Sequence, residues 1–378
     1  VVVIISRGEP VKSGISLISK SSELSDWSKI RAKRIDNIRA KKPALILAVN
    51  PDLAQVLERS GSHLDKPKIS LKKDKVQSPV LPADVVQLTP EAANVFFSKS
   101  GTTLEQLMTS INESGLPASR KIKADIELSY GNKLKDVKAV NVLGYLEGTD
   151  LKQELVVLSA HYDHIGLNPD GIDKVFNGAD DDGSGTTAVL ELARAFSAAK
   201  KEGKGPRRSI LFLGVVGEEK GLLGSEWYSE HPIFPLKNTI CNLNIDMIGR
   251  VDTAHKNTPD YCYLIGSDKL STQLHKISEE ANATYTKLKI DYKYNDPADP
   301  ERIYYRSDHY NFAKHGIPII FYFNGVHEDY HKESDEISKI DFPLLVKRAK
   351  LVFYTAWELA NRDKRPVVDV KNDMPQTR

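Results

Sequence analysis

The sequence predicts an α/β protein: a mostly parallel mixed sheet with helices on both faces, plus a smaller mixed α/β accessory domain. Three observations carry this expectation. From Ala139 onward, short continuous apolar runs alternate with stretches of helical period, the pattern of a sheet covered on both faces. At 378 residues the chain is long for one core and accommodates two domains. The texture also changes near residue 120: before it, brief apolar runs mix with Lys, Ser and Pro, and acids and imidazoles do not cluster. The expected domains are therefore 1–120 and 121–378.

In the first domain, Val1–Ile5 and Ala44–Val49 read as buried strands, the latter bounded by Lys-Lys-Pro and Asn-Pro. Val80–Leu88 is a further apolar run. Thr89-Pro90 opens a helix with Thr as cap and Pro in the first position, and Gly101-Thr102-Thr103-Leu104 leads another through Ile111. In the second domain, Ala139–Leu146 and Leu155–Ala160 are strands joined by the turn Glu147-Gly148-Thr149-Asp150. Ser184–Phe196 is a helix because Val189, Leu192, Ala193 and Phe196 fall at i, i+3, i+4 and i+7. Ser209–Val216, Asn242–Met247 and Pro318–Phe323 are strands; Ser267–Glu280 and Leu344–Ala360 are helices.

Composition narrows the function classes. With 40% hydrophobic and 28% charged residues the chain is an ordinary soluble globular protein. A net charge of +2 gives no basic stripe for nucleic acid, and the lysine clusters Lys66–Lys75 and Lys200–Lys204 read as solvated loops. No run of 18 apolar residues spans a membrane. Val1–Ile5 lacks the basic flank and cleavage site of a signal peptide, and without an initiating Met the sequence is expected to begin inside a domain. Cys241 and Cys262 form no Cys-x-x-Cys pair, so zinc on thiolates is not expected. They read as small buried core residues, with a disulfide across neighbouring strands as the alternative.

In parallel sheets, ligands bind beyond the carboxyl ends of the strands. Here those ends carry His161-Tyr162-Asp163-His164, Gly217-Glu218-Glu219, Asp246 and His327-Glu328-Asp329-Tyr330-His331, and Asp180-Asp181-Asp182 precedes the first helix. One such residue is ordinarily a cap or a surface group. Together they imply cations, because carboxylates converging on one rim repel each other. Imidazole nitrogen with carboxylate oxygen suits zinc that keeps a water.

The order His161-x-Asp163, Gly178-Ala-Asp-Asp-Asp-Gly-Ser-Gly185, Gly217-Glu-Glu-x-Gly-Leu-Leu-Gly-Ser225, Asn244-Ile-Asp-Met-Ile-Gly249 and Tyr330-His331 resembles the zinc aminopeptidase family that also contains glutamate carboxypeptidase and glutaminyl cyclase. The resemblance covers Ala139 to Asn361. It implies two Zn2+ per chain: His161 and Asp246 on the first, Glu219 and His331 on the second, and Asp181 bridging, with Asp180 the competing choice and a cis peptide at Asp181–Asp182. It further implies Asp163 holding the ring of His161 and Glu218 as general base; Tyr330, beside His331, reads as a donor to the oxyanion, with core packing as the alternative. His164, His309 and His327 are spare imidazoles, each expected to support a ligand from behind or to lie on the surface, and Arg306-Ser307-Asp308-His309 resembles a segment beside the substrate cleft.

The activity so implied is removal of N-terminal residues from peptides. Spare rim acids, Asp182 and Glu218, would favour a free α-amino group. Carboxypeptidase or dipeptidase action, a one-zinc glutaminyl cyclase and a non-catalytic receptor-like module stay open as alternatives. A metallo-β-lactamase-like site is disfavoured because Ser159 stands where that motif needs a second histidine. Residues 1–120, with His63 as their one histidine, resemble a protease-associated domain through Val1–Pro10, a helix–strand unit ending at Val49, and Val80–Leu88. Relatives with that domain are commonly exported, so an extracytoplasmic (periplasmic or secreted) location is expected, with the accessory domain restricting what reaches the zincs. Side-chain preference and oligomeric state are not encoded in these motifs.

Overall fold

Residues 155–160 are all nearly inaccessible to solvent, yet their side chains serve two different cores. Val156, Leu158 and Ala160 pack with Ala188, Leu192 and Phe196, whereas Leu155 and Val157 pack with Tyr228 and Phe312. A strand buried on both faces loses polar alternation, which explains the continuous apolar run. The computed structural model describes residues 1–6, 8–64, 67–72, 83–129 and 133–374. The chain divides into two compact units, Val1–Lys68 with Lys72–Lys135, and Ile69–Leu71 with Asp136–Arg378.

In the first unit, β1 (Val2–Ile5), β2 (Leu45–Val49) and β3 (Asp84–Leu88) form a parallel sheet in that order. The helices are α1 (Arg31–Arg39), α2 (Leu53–Leu64), α3 (Pro90–Ser98) and α4 (Leu104–Ser114). Thr89 caps α3 by accepting from Ala92 N, and Thr103 with Gln106 forms a reciprocal capping box on α4. The beginning of the Val80–Leu88 run, Val80–Pro82, and part of the Lys66–Lys75 cluster lie outside the described residues, as does the side chain of His63.

The second unit is built on seven strands: β4 (Val142–Leu146), β5 (Leu151–His161), β6 (Arg208–Val215), β7 (Thr239–Ile245), β8 (Tyr261–Ile265), β9 (Lys289–Asp291) and β10 (Ile319–Phe323). Their order across the sheet is β9-β8-β10-β7-β5-β6-β4. The central four, β10, β7, β5 and β6, are mutually parallel. Antiparallel pairings join β4 to β6 and β8 to β10. Short strands β8 and β9, and the helix α6 (Leu223–Glu230) inside the Gly-Leu-Leu-Gly-Ser motif, were not anticipated from the sequence.

Helix α5 (Gly183–Lys201) starts where Asp182 accepts from Gly185 N. Helix α7 (Thr272–Ala281) begins later than the expected Ser267, because the Ser271 side chain accepts from Leu274 N and sets the cap there. Short α8 (His309–Ala313) and long α9 (Phe342–Asn361) complete the unit. Among the described residues no helix is long and apolar enough to cross a membrane. Cys241 and Cys262 are free and buried. They sit in β7 and β8, which β10 separates, so the cross-strand disulfide does not form. Burial pushes the two thiols up to about 12 and about 11, where they are inert.

Phe196 is the keystone of the α5 side. Fully buried, its ring packs against Phe212, Phe353 and Trp357 at centroid distances of 6.3, 4.8 and 5.8 Å. Phe196→Ala is expected to cost about 3–5 kcal/mol, read as a lowered urea midpoint at unchanged slope; a loss under about 1 kcal/mol would show that the layer collapses around the gap.

Candidate metal centre

The ends of the parallel strands lie level. His161 at the end of β5 pairs with Val215 at the end of β6, and Tyr322 in β10 pairs with Ile245 at the end of β7. The residues that follow therefore meet on one rim. His161 Nε2 lies 3.3 Å from Asp181 Oδ1 and 3.6 Å from Asp246 Oδ2. His331 Nε2 lies 3.2 Å from Asp181 Oδ2 and 3.2 Å from Glu219 Oε2. His164 Nδ1 lies 3.0 Å from Glu219 Oε1. His161, Asp181 and Asp246 form one group able to hold a cation, and His164, Asp181 and Glu219 a second, the two found among the described residues.

The donor atoms fit zinc. Ligands held at 2.0–2.1 Å around one tetrahedral ion stand about 3.3 Å apart. The His161 ring is fixed by donation from Nδ1 to the Asp163 carbonyl oxygen at 2.9 Å, which leaves Nε2 as a bare lone pair. That buried Nε2 has no hydrogen-bond partner, and neither has Asp181 Oδ2. Electrostatics agree. Burial disfavours the His161 cation, yet Asp246 and Asp181 outweigh it and hold the ring well above its usual range. At His331 the same contest, with Asp181 and Glu219 winning, lifts the ring to about 9. The cluster demands positive charge.

Supports from several elements aim these groups. Asp181 and Asp180 both donate their amides to Asp335 Oδ2, at 3.1 and 3.0 Å. The Asp181–Asp182 peptide is cis. Asp180 turns away from the rim: its Oδ1 accepts from Gly249 N and its Oδ2 faces His327 Nε2 at 3.2 Å. Asp181 is thus the member of the pair that enters the cluster. Asp246 Oδ2 accepts from Ser307 Oγ at 2.6 Å. Ser307 ends a buried row: Asn242 donates to Ser159, Ser159 to Asn244, Asn244 to Ser307.

Asp163 meets its expectation by an unexpected atom, while the expectations for Asp182 and His309 need correction. Asp163 holds the His161 ring through its carbonyl; its carboxylate, 3.8 Å away, instead accepts from Glu218 N at 3.2 Å. Asp182 is not a spare rim acid, because it is buried and accepts from His161 N, Gly185 N and Met247 N, tying α5 to β5 and β7. A side chain at Gly185 would place its Cβ 2.3 Å from that carboxylate. His309 lies away from the rim, stacked on Phe321 and donating to Tyr304 O; burial drives it down to about 3. Asp335 was missed, since an isolated acid in Ser-Asp-Glu has no motif around it, and Ser307 was flagged only as part of its segment.

Beside the cluster lies an open cleft lined by Asp181, Glu218 and Asp246 on the polar side and by Met247, Ile303, Phe321, Phe323, Val326, Arg306 and Tyr330 elsewhere. Glu218 Oε2 is 3.9 Å from His161 Nε2. Burial, with Asp246 and Asp308 adding to it and His161 opposing, raises the Glu218 carboxyl well above its usual range. Tyr330 stacks on His331 at 3.8 Å, and its hydroxyl accepts from Arg306 Nη2 at 3.0 Å.

The sequence model of peptidase family M28 matches residues 141–356, more than half of the chain and the whole of this cluster. The chain belongs to that family. The chain is similar to a probable leucine aminopeptidase of Trichophyton verrucosum, 33% identical over 214 residues that make up 55% of each chain. Aminopeptidase YwaD of Bacillus subtilis is 27% identical over 74% of this chain and 56% of its own. The chain spans about half the length of the curated relatives it matches. The solved aminopeptidase from Aneurinibacillus sp. strain AM-1 superposes with a TM-score of 0.50 at 18% identity, covering 100% of this chain and 73% of its own, a likeness of fold.

Proposed function

We propose that the chain is a two-zinc aminopeptidase acting on peptides with a free N-terminus. One observation carries the reading: the two oxygens of Asp181 serve different donor sets, Oδ1 facing His161 and Oδ2 facing His331. A carboxylate so divided suits two ions side by side, with His161 and Asp246 on one and Glu219 and His331 on the other. When bound, such a pair acidifies a water and polarises the scissile carbonyl.

The chain's own groups supply the rest. Glu218, anchored through its amide to Asp163 and lining the cleft beside Asp181 and Asp246, is suited as a carboxylate to take a proton from the water and return it to the leaving amine. Because Arg306 donates to the Tyr330 oxygen, the Tyr330 proton is left to point at a developing oxyanion. The apolar wall of Met247, Ile303, Phe321, Phe323 and Val326 supports an apolar N-terminal side chain. The names of the curated relatives favour the aminopeptidase branch over the carboxypeptidase and cyclase branches. The resemblance of residues 1–120 to a protease-associated domain supports an accessory role for them and an extracytoplasmic place of action.

The test combines metal analysis with paired substrates. Two zinc per chain are expected after incubation with excess metal, with activity abolished by a chelator and restored by zinc. Leucyl-fluorophore is expected to be cleaved and its N-acetylated form left intact. One ion per chain would sink the two-metal reading, and equal cleavage of both substrates would sink the aminopeptidase reading.

A further inference from the structure

We propose that His164 is a fourth protein ligand to the ion shared by Asp181, Glu219 and His331, so that the two metal positions differ in strength. This rests on the two-ion reading above and adds a residue outside the motif's five ligands.

Distance comes first. His164 Nδ1 is 3.0 Å from Glu219 Oε1 and 3.9 Å from Asp181 Oδ2, bracketing the roughly 3.3 Å expected between two ligands of one tetrahedral zinc. Alignment comes second. Neither His164 Nδ1 nor Glu219 Oε1 has a hydrogen-bond partner, although both atoms are shut off from solvent. Two buried polar atoms 3.0 Å apart that share no hydrogen bond leave both free for a third partner, and with Asp181 they form a group able to hold a cation. His161 Nε2 is likewise unpartnered beside Asp181 and Asp246, although its Nδ1 is held by the Asp163 carbonyl whereas neither nitrogen of His164 has a partner.

The backbone also makes room for this ring. A Cβ on Gly178, which sits at φ +62°, would fall 2.6 Å from His164 Cγ. The His164 and His331 rings stand edge-on with centroids 5.9 Å apart, and Glu219 presents Oε1 to the first and Oε2 to the second. Two imidazoles therefore flank one carboxylate without stacking, the arrangement of two nitrogens converging on a common ion. The result is inequality. One position has three donors, His161, Asp181 and Asp246, and keeps an open place; the other has four, two imidazoles and two carboxylates.

The rival role is positioning: His164 would merely hydrogen-bond Glu219. Cobalt separates the two. Apo protein is titrated with Co2+ while stoichiometry, the two Kd values and the visible absorption of each ion are read, for wild type, His164→Ala and His164→Asn. Circular dichroism of each apo form establishes folding. An Asn amide can replace Nδ1 as a hydrogen-bond donor but is a poor metal ligand. Wild type is expected to bind two ions. Both variants are expected to keep one unchanged and to weaken the other by more than about 100-fold, beyond the roughly 10–100-fold usual for a supporting partner, with a changed absorption band for that ion. A loss of 100-fold or less, rescue by Asn, or an unchanged band overturns the proposal while leaving the two-ion reading intact. A wild-type chain that takes up fewer than two ions overturns both.

Discussion

Glu218→Gln is expected to lower kcat by about 10²–10⁴-fold while both ions stay bound. The substitution keeps the shape of the side chain and leaves the main-chain bond from residue 218 to Asp163 untouched. What it removes is a carboxylate able to hold a proton between the two halves of the reaction. Glu218 Oε2 is 3.9 Å from His161 Nε2, farther than Asp181 and Asp246 are from the same atom, so metal binding is expected to survive. Its neighbour behaves oppositely: Glu219 faces His164 and His331, and Glu219→Gln is expected to shed one ion. Elemental analysis beside steady-state kinetics checks both. If the two variants lose metal equally and keep similar turnover, this division between adjacent glutamates is wrong.

Asp335→Ala is expected to damage stability and metal binding together. The carboxylate is fully buried and accepts the amides of both Asp180 and Asp181. Each buried donor left unsatisfied costs about 1–3 kcal/mol, so roughly 2–6 kcal/mol should be lost in urea unfolding of the apo protein. Asp181 is aimed by that amide bond, and metal affinity should fall by about 10–100-fold. Asp335→Asn keeps an acceptor and should recover most of the stability. If Asp335→Ala binds metal as wild type does, the Asp181 carboxylate is aimed by something else.

That acids and imidazoles gather on one rim is legible because they follow short apolar runs read as strands. Which of them would hold metal is implied only by the resemblance of the motifs, with Asp180 left open beside Asp181. Their supports are not legible in the sequence. Asp335 reaches the site through a fold that brings it beside residues 155 and 154 positions earlier, and no local pattern encodes that. Asp163 does hold the His161 ring, as the resemblance implies, but sequence does not say whether its carbonyl or its carboxylate turns inward. Strand β8, with five buried residues Tyr-Cys-Tyr-Leu-Ile, is no longer than a chance apolar cluster. Helix α6 was hidden by a glycine-rich motif, which propensity alone reads as loop.

The position of β10 bears on the order in which the protein can be completed. This strand comes last of the seven in sequence, yet it lies between β7 and β8 and pairs with both. Until residues 319–323 emerge from the ribosome, a slot stays open in the middle of the sheet, with strand edges bare on either side. The loop that carries His331 is anchored to that same strand. Assembly of the ion pocket is thereby tied to a late, long-range pairing of the kind that slows folding, and a nascent chain lacks the last ligand until its sheet has closed.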